Sequence, residues 1–229
     1  MELIFNFSDG SPIIARFDKR EYQLPKCFIS GFNTIPIEVQ LPQQRVYFGV
    51  LFQPLSIKKI FGTHASEFSD ITVDITLLDA SFNSLWHQLA EQENFMNRVS
   101  VFLSWAKRNY VEWYPREQLI NKFLYAVDQH DYSVKALAGL FCCSPRQLSR
   151  KIIEATGMNT EEILLYKKYL HAVHLMHHSE LSLTGIAYQS QFSDQSHFIK
   201  SFRAFANMTP GEYLRNKSDV KGHIYQNVR

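Results

Sequence analysis

A unit that occurs twice in the C-terminal half constrains this chain most. The first copy runs Val134-Lys135-Ala136-Leu137-Ala138 and on to Cys142-Cys143-Ser144-Pro145-Arg146-Gln147-Leu148-Ser149-Arg150-Lys151-Ile152. The second runs Leu183-Thr184-Gly185-Ile186-Ala187 and on to Gln191-Phe192-Ser193-Asp194-Gln195-Ser196-His197-Phe198-Ile199-Lys200-Ser201-Phe202. The step from Ala138 to Ser144 equals that from Ala187 to Ser193. Each copy reads as two helices joined by a tight turn. Where two helices cross closely a small residue is needed, and Ala138 and Ala187 supply it, with Leu137 and Ile186 turned to the core. Ser144 is a good N-cap, and Pro145 falls at the first helical position, where its missing N–H costs nothing. Ser193 and Asp194 offer the equivalent caps.

Leu148 and Ile152 point inward one turn apart, as do Phe198 and Phe202, so the residues between them face out. In the first copy these are Arg146, Gln147, Ser149, Arg150 and Lys151; in the second, Gln195, Ser196, His197, Lys200 and Arg203. None is acidic. Arginine reads guanine and glutamine reads adenine through paired hydrogen bonds in the major groove, and Lys and Arg neutralise phosphates. A capped helix N-terminus aimed into that groove is how helix-turn-helix units dock. One such pattern is easily mimicked by ordinary surface helices; two copies with the same internal spacing and carboxylate-free outer faces are harder to reach by chance. Of the ten residues, Arg146, Ser149, Arg150, Gln195, His197 and Lys200 are expected to read bases, with Lys151 and Arg203 on phosphates.

The front of the chain has a different period. Leu3 to Phe7 and Ile13 to Phe17 read as strands around a turn at Ser8-Asp9-Gly10-Ser11-Pro12. Ile35, Ile37, Val39 and Leu41 alternate with polar or proline positions. Val46, Phe48, Val50 and Phe52 alternate with Tyr47, Gly49 and Leu51, a run apolar on both faces that predicts a strand in the middle of an antiparallel sheet. Leu55 to Phe61 predicts a short helix stopped by Gly62. From Asp79 to Tyr110 the period turns helical, with stripes at Phe82, Leu85, Trp86 and Leu89, and at Phe95, Val99, Phe102, Leu103 and Ala106. A linker is read at Val111-Glu112-Trp113-Tyr114-Pro115.

Charge divides along the same line. Residues 1–129 carry 12 Lys and Arg against 14 Asp and Glu, and residues 130–229 carry 12 against 8, a basic rear part suited to a polyanion. Three cysteines, Cys27, Cys142 and Cys143, make no disulfide framework and suit a reducing compartment. The N-terminus lacks a cationic stretch followed by a long apolar run, and no apolar run reaches the roughly 20 residues of a membrane helix. A cytoplasmic protein away from membranes is therefore expected. There is no phosphate-binding glycine loop and no nucleophile elbow, so no enzyme activity is expected. His171, His174 and His178 share a helix face beside His177. That spacing can chelate zinc, but no cysteine or carboxylate completes a site, so no metal and no cofactor are expected. The Cys142-Cys143 pair could sense oxidation, although packing as small hydrophobes is the simpler reading.

With these residues in view, the chain over about 120–215 resembles the C-terminal domain of the AraC/XylS family of bacterial regulators. Leu137-Ala138, Ser144 to Arg150, Gly157, the helix Glu161 to Leu175 with Lys168 and Ala172, Ile186-Ala187, Phe192-Ser193-Asp194, Phe198, Phe202 and Thr209-Pro210-Gly211-Glu212-Tyr213 carry the resemblance. It implies an all-helical domain in which a long middle helix holds two recognition helices against successive major grooves. The family usually has Gly in each turn, where this chain has Cys142 and Gln191; if the turns need positive φ, both residues carry a steric cost. Lys168 stands where Arg is commoner. Residues 1–110 are similar to an N-terminal domain of some AraC-like regulators, through Glu2-Leu3-Ile4-Phe5-Asn6, Phe48 to Pro54 and Glu67-Phe68-Ser69-Asp70. In those proteins more residues precede the first strand, so this chain starts slightly short of that pattern.

The expected class is α+β: a β-rich domain with helices over 1–112, a double helix-turn-helix domain over 116–216 and a tail over 217–229. The expected function is sequence-specific regulation of transcription. Double-stranded DNA is the first partner, with RNA polymerase, a small-molecule effector and a second copy of the chain as further ones. The rival is a small-molecule-binding protein or enzyme capped by helices; it predicts polar or acidic residues on the outer faces of the repeated helices. A second rival is a DNA-binding protein that needs no effector.

Overall fold

The computed structural model describes residues 1–8, 13–17, 20–41, 45–109, 114–126 and 132–219. The chain divides into two compact units, Met1–Asn121 with Ile153–Gly157, and Lys122–Ile152 with Met158–Arg229. Most of the turn at 8–12, the linker at 111–113 and most of the tail lie outside the described residues.

The first unit is built on alternation. In β1 (Glu2–Asn6) Leu3 and Phe5 are fully buried while Glu2 is exposed. This strand pairs on one side with β4 (Cys27–Ser30) and on the other with β6 (Tyr47–Leu51), and β4 pairs outward with β7 (Thr72–Asp74), all antiparallel. The register sets Phe5 opposite Cys27 and Phe48, and Leu3 opposite Ile29 and Val50. One face thus becomes continuous aromatic and aliphatic surface, closed by α1 (Pro54–Phe61), α2 (Ser81–Ala90) and α3 (Phe95–Arg108) through Ile57, Phe82, Leu85, Leu89, Phe102 and Trp105. A second antiparallel sheet sets β2 (Ile14–Phe17) between β3 (Arg20–Gln23) and β5 (Glu38–Gln40). The α+β class with an antiparallel front part is therefore as expected. As the sequence indicated, α1 ends at Gly62, whose φ of 72° lets its N–H reach the Lys58 carbonyl at 3.0 Å.

Three details differ from the sequence reading. The run from Val46 to Phe52 forms an edge strand, not a central one; its outward Leu51 is 69% exposed, and the short, half-polar β1 takes the middle. Between Pro36 and Pro42, which offer no amide hydrogen, only Glu38–Gln40 pairs, and Ile35, Val39 and Leu41 stay exposed. In α3 the buried stripe is Phe102 and Trp105 with Val99 and Ala106 against it, while Phe95 and Leu103 are exposed.

In the second unit the helices are the closing turn of α4 (Pro115–Tyr125), then α5 (Val134–Leu140), most of α6 (Pro145–Thr156), α7 (Thr160–His178), α8 (Leu183–Gln189), α9 (Gln195–Ala206) and α10 (Pro210–Asn216). A capping box starts α7: Asn159 Oδ1 accepts from the Glu161 and Glu162 amides, and Glu162 Oε2 accepts from the Asn159 amide at 2.7 Å. Glu161 and Glu162 in its first turn complement the helix dipole. Around α7 pack Ile186 and Ala187 of α8, Phe198 and Phe202 of α9 and Tyr213 of α10, all buried. Among the described residues no helix is long and apolar enough to cross a membrane.

Candidate nucleic-acid interface

The turns of the two repeated units are Schellman motifs. In the first, the Cys143 amide donates to the Ala138 carbonyl at 3.0 Å and the Cys142 amide to the Gly139 carbonyl at 3.0 Å. In the second, Phe192 donates to Ala187 at 3.1 Å and Gln191 to Tyr188 at 2.9 Å. Such a motif needs a left-handed residue just past the helix, and Cys142 (φ 49°) and Gln191 (φ 60°) occupy those places. The steric cost foreseen at both residues is therefore present. Lys168 reaches from α7 to donate to the Gln191 carbonyl at 2.9 Å, which pins the second turn. Replacing Gln191 by glycine keeps that carbonyl and relieves the strain, so Gln191→Gly is expected to raise stability by about 1 kcal/mol, less the added freedom of the unfolded chain. Urea unfolding of the two proteins checks this, and a fall in stability would contradict it.

After the turns the two units part. Between α5 and α6 stand residues 141–144; between α8 and α9 stand 190–194, one residue more. Ser144 caps α6, accepting from the Gln147 amide at 3.2 Å, while Gln147 Oε1 accepts from the Ser144 amide at 3.0 Å. For α9 the cap is Asp194, not Ser193: Asp194 Oδ1 accepts from the His197 amide at 2.7 Å, and the Ser193 hydroxyl donates to Asp194 Oδ2 at 3.1 Å. These bonds, the His197 amide first, hold the Asp194 carboxyl below its ordinary range. Counted from the caps, Leu148 matches Phe198, Arg150 matches Lys200 and Lys151 matches Ser201. Leu148, Ile152, Phe198 and Phe202 are all fully buried, as the spacing predicted.

The outer faces follow. On α6, Arg146, Gln147 and Arg150 are exposed, and Ser149 and Lys151 are half-buried. On α9, Gln195, Ser196, Lys200 and Arg203 are exposed, while His197 is half-buried. Gln147 and His197 hold local contacts of their own. Gln147 spends its carbonyl oxygen on the cap of its own helix. The His197 ring stands edge-on to Phe192, at 5.5 Å between centroids, with Nδ1 3.0 Å from the Ser193 hydroxyl. A residue absent from the sequence reading shares the outer face of α9: Ile199, 39% exposed. Helical spacing from Ser196 to Ile199, Lys200 and Arg203 would have found it; a search for hydrogen-bonding groups passes over it. Ser196, Ile199, Lys200, Arg203 and Ala204 together line a shallow recess. No residue of α9 is acidic, and Lys200 and Arg203 give the recess a positive charge.

The histidines of α7 take separate places. His171 is buried, and desolvation lowers its pKa, favouring the neutral imidazole. The rings of His174 and His178 stand 4.6 Å apart, and His177 Nε2 lies 2.9 Å from the Tyr213 hydroxyl. No group of three or more metal-ligating side chains occurs among the described residues. Cys142 is exposed and Cys143 half-buried; burial pushes the thiol of the third cysteine, Cys27, up to about 12.

Residues 137–216 match the model of a helix-turn-helix domain family, and residues 1–74 match that of a domain of unknown function (DUF6597). The chain is 30% identical over 125 residues to the HTH-type transcriptional activator RhaS of Escherichia coli strain K12 / DH10B, a match covering 55% of this chain and 38% of the relative. It thus spans well under half the length of that curated relative. Unsaturated fatty acid-bound ToxT from Vibrio cholerae strain SCE256 has the same fold, with a TM-score of 0.51 at 16% identity over 97% of this chain and 89% of ToxT. ToxT from Vibrio cholerae O395 superposes similarly, with a TM-score of 0.51 at 17% identity over 93% of this chain and 89% of the other.

Proposed function

We propose that this chain, whose C-terminal half is an AraC/XylS-type double helix-turn-helix domain, is a sequence-specific DNA-binding regulator of transcription. One observation carries the reading: two helices, each capped at its N-terminus and anchored by a buried pair one turn apart, turn outward faces rich in Arg, Lys, Gln and Ser. Such helices donate hydrogen bonds to base edges and neutralise phosphates. The same faces disfavour the helical-cap rival, which has no use for an outward face rich in cationic side chains repeated twice. Arg146, Ser149, Arg150, Gln195 and Lys200 are assigned to base edges, and Lys151 and Arg203 to phosphates. With its carbonyl held by the cap, Gln147 is assigned a positioning role. His197 contacts DNA through the ring edge away from Ser193.

The first unit senses a small molecule or pairs with a second copy; exposed Phe95, Met96 and Leu103 on α3 support pairing. Activation or repression then proceeds through RNA polymerase in the cytoplasm, with no catalytic step in the chain itself.

The test is selection of duplexes from a random pool by the purified chain, followed by binding at two salt concentrations. A consensus sequence and a steep loss of affinity with salt are expected. Retention of no sequence over another, or affinity indifferent to salt, would overturn the proposal. Thermal-shift screening against metabolites separates an effector-sensing first unit from one without a ligand, since a ligand that binds the folded state raises the melting temperature.

A further inference from the structure

We infer that Ile199 reads thymine methyl groups, so that the half-site facing α9 is specified by an apolar contact as well as by hydrogen bonds. The inference rests on the DNA-binding function proposed above and adds a residue and a base to it. Ser196, Lys200 and Arg203 on the outward face of α9 are polar or cationic, yet the recess they line with Ala204 also holds a large aliphatic side chain, Ile199, 39% exposed. A lone exposed aliphatic on a protein surface is ordinary. This one lies amid the groups expected to bracket a duplex. Ser196 is one turn before it, Lys200 is next to it, and Arg203 is one turn after it, while Phe198, Ser201 and Phe202 face the core.

In the major groove the C5 methyl of thymine is the one apolar group on a base edge, and it lies between the two phosphate backbones. An exposed aliphatic side chain beside Lys200, assigned to a base edge, and Arg203, assigned to a phosphate, is complementary to that arrangement. A protein partner would need an apolar knob surrounded by acidic groups, and nothing here points to one. In the first helix-turn-helix copy the matching position is Ser149, whose short polar side chain does not cover a methyl. The preference therefore belongs to one half-site, and the operator is asymmetric in its methyl dependence.

The experiment uses the full chain and the duplex it selects. Each thymine on both strands is replaced singly by deoxyuridine, which removes the methyl and leaves the hydrogen-bonding edge intact, so no protein variant needs to fold for the first reading. At one or two clustered positions, affinity of the unaltered protein is expected to fall about four-fold, the worth of one buried methyl group. Ile199→Ala, its thermal midpoint checked against the unaltered chain, is expected to bind the unmodified duplex about as weakly and to change less than about two-fold on the same replacements. If the protein selects a sequence and no replacement weakens binding, or if Ile199→Ala responds as strongly as the unaltered chain, the inference fails while the function stands. If no duplex is selected, both fall together.

Discussion

Phe202→Ala is expected to cost the second unit about 3–5 kcal/mol, enough to remove much of a small domain's margin of stability. The residue is fully buried. Its ring stands 5.0 Å from Tyr169 of α7, 5.8 Å from Phe198 of its own helix and 5.5 Å from Tyr213 of α10. Three helices therefore lean on one side chain, and none of the neighbouring rings can close the gap without leaving its own contacts. The loss is that of apolar transfer plus an unfilled cavity, the larger class of single-residue effect. Ser196→Ala, on the exposed face of the same helix, is expected to move stability by less than about 0.5 kcal/mol. Urea unfolding followed by far-ultraviolet circular dichroism tests the contrast. Equal midpoints for the two variants would show that Phe202 does not hold α9 in place. Since α9 carries the second reading face, the destabilised variant should also bind its duplex poorly while keeping its sequence preference, because the contacts themselves are untouched.

What the sequence made visible depended on which physical rule governed each place. Buried pairs one turn apart, Leu148 with Ile152 and Phe198 with Phe202, are dictated by helical period and were legible at once. The strained turn was legible only as a condition: Cys142 and Gln191 stand where the resembled family favours glycine, and it is the Schellman geometry of the fold that imposes the positive φ. The extra residue in the second turn was hidden because Ser193 and Asp194 are both competent caps, and only three-dimensional closure selects Asp194. The capture of the Gln147 carbonyl by Ser144 was hidden for a related reason, since the same side chain suits a cap and a base edge. In the first unit, apolar content misled. Leu51 and Leu103 carry the hydrophobicity of core residues but sit at a sheet edge and on a helix's outer face, where burial depends on neighbours that periodicity does not name. Ile199 was missed from the opposite side: attention to hydrogen-bond donors overlooked an apolar group on a reading face.

Arg150→Ala and Lys151→Ala are adjacent substitutions that remove the same charge, and they are expected to differ in kind. Arg150 is exposed one turn after Arg146 on the outer face of α6, where a guanidinium can make a paired contact to guanine. Its loss should cost about 1–3 kcal/mol at the selected duplex and relax preference at a single base step, leaving affinity for unrelated duplex changed much less. Lys151 is half-buried and occupies the place that the buried Ser201 takes in α9, off the outermost stripe of the helix, which is the ground for assigning it to a phosphate rather than a base edge. Lys151→Ala should weaken all duplexes by a similar factor and reduce the salt slope by about one unit, the signature of a single lost phosphate contact. The measurement is affinity of both variants for the selected and a scrambled duplex across a salt series. Arg150→Ala weakening both duplexes alike would move it to the backbone; Lys151→Ala changing preference at one base would move it into the groove. Either result would mean that α6 is rotated in the groove relative to the orientation set by Leu148 and Ile152. If neither variant changes affinity or preference, α6 is not a reading helix, and the two repeated units do not act as a pair.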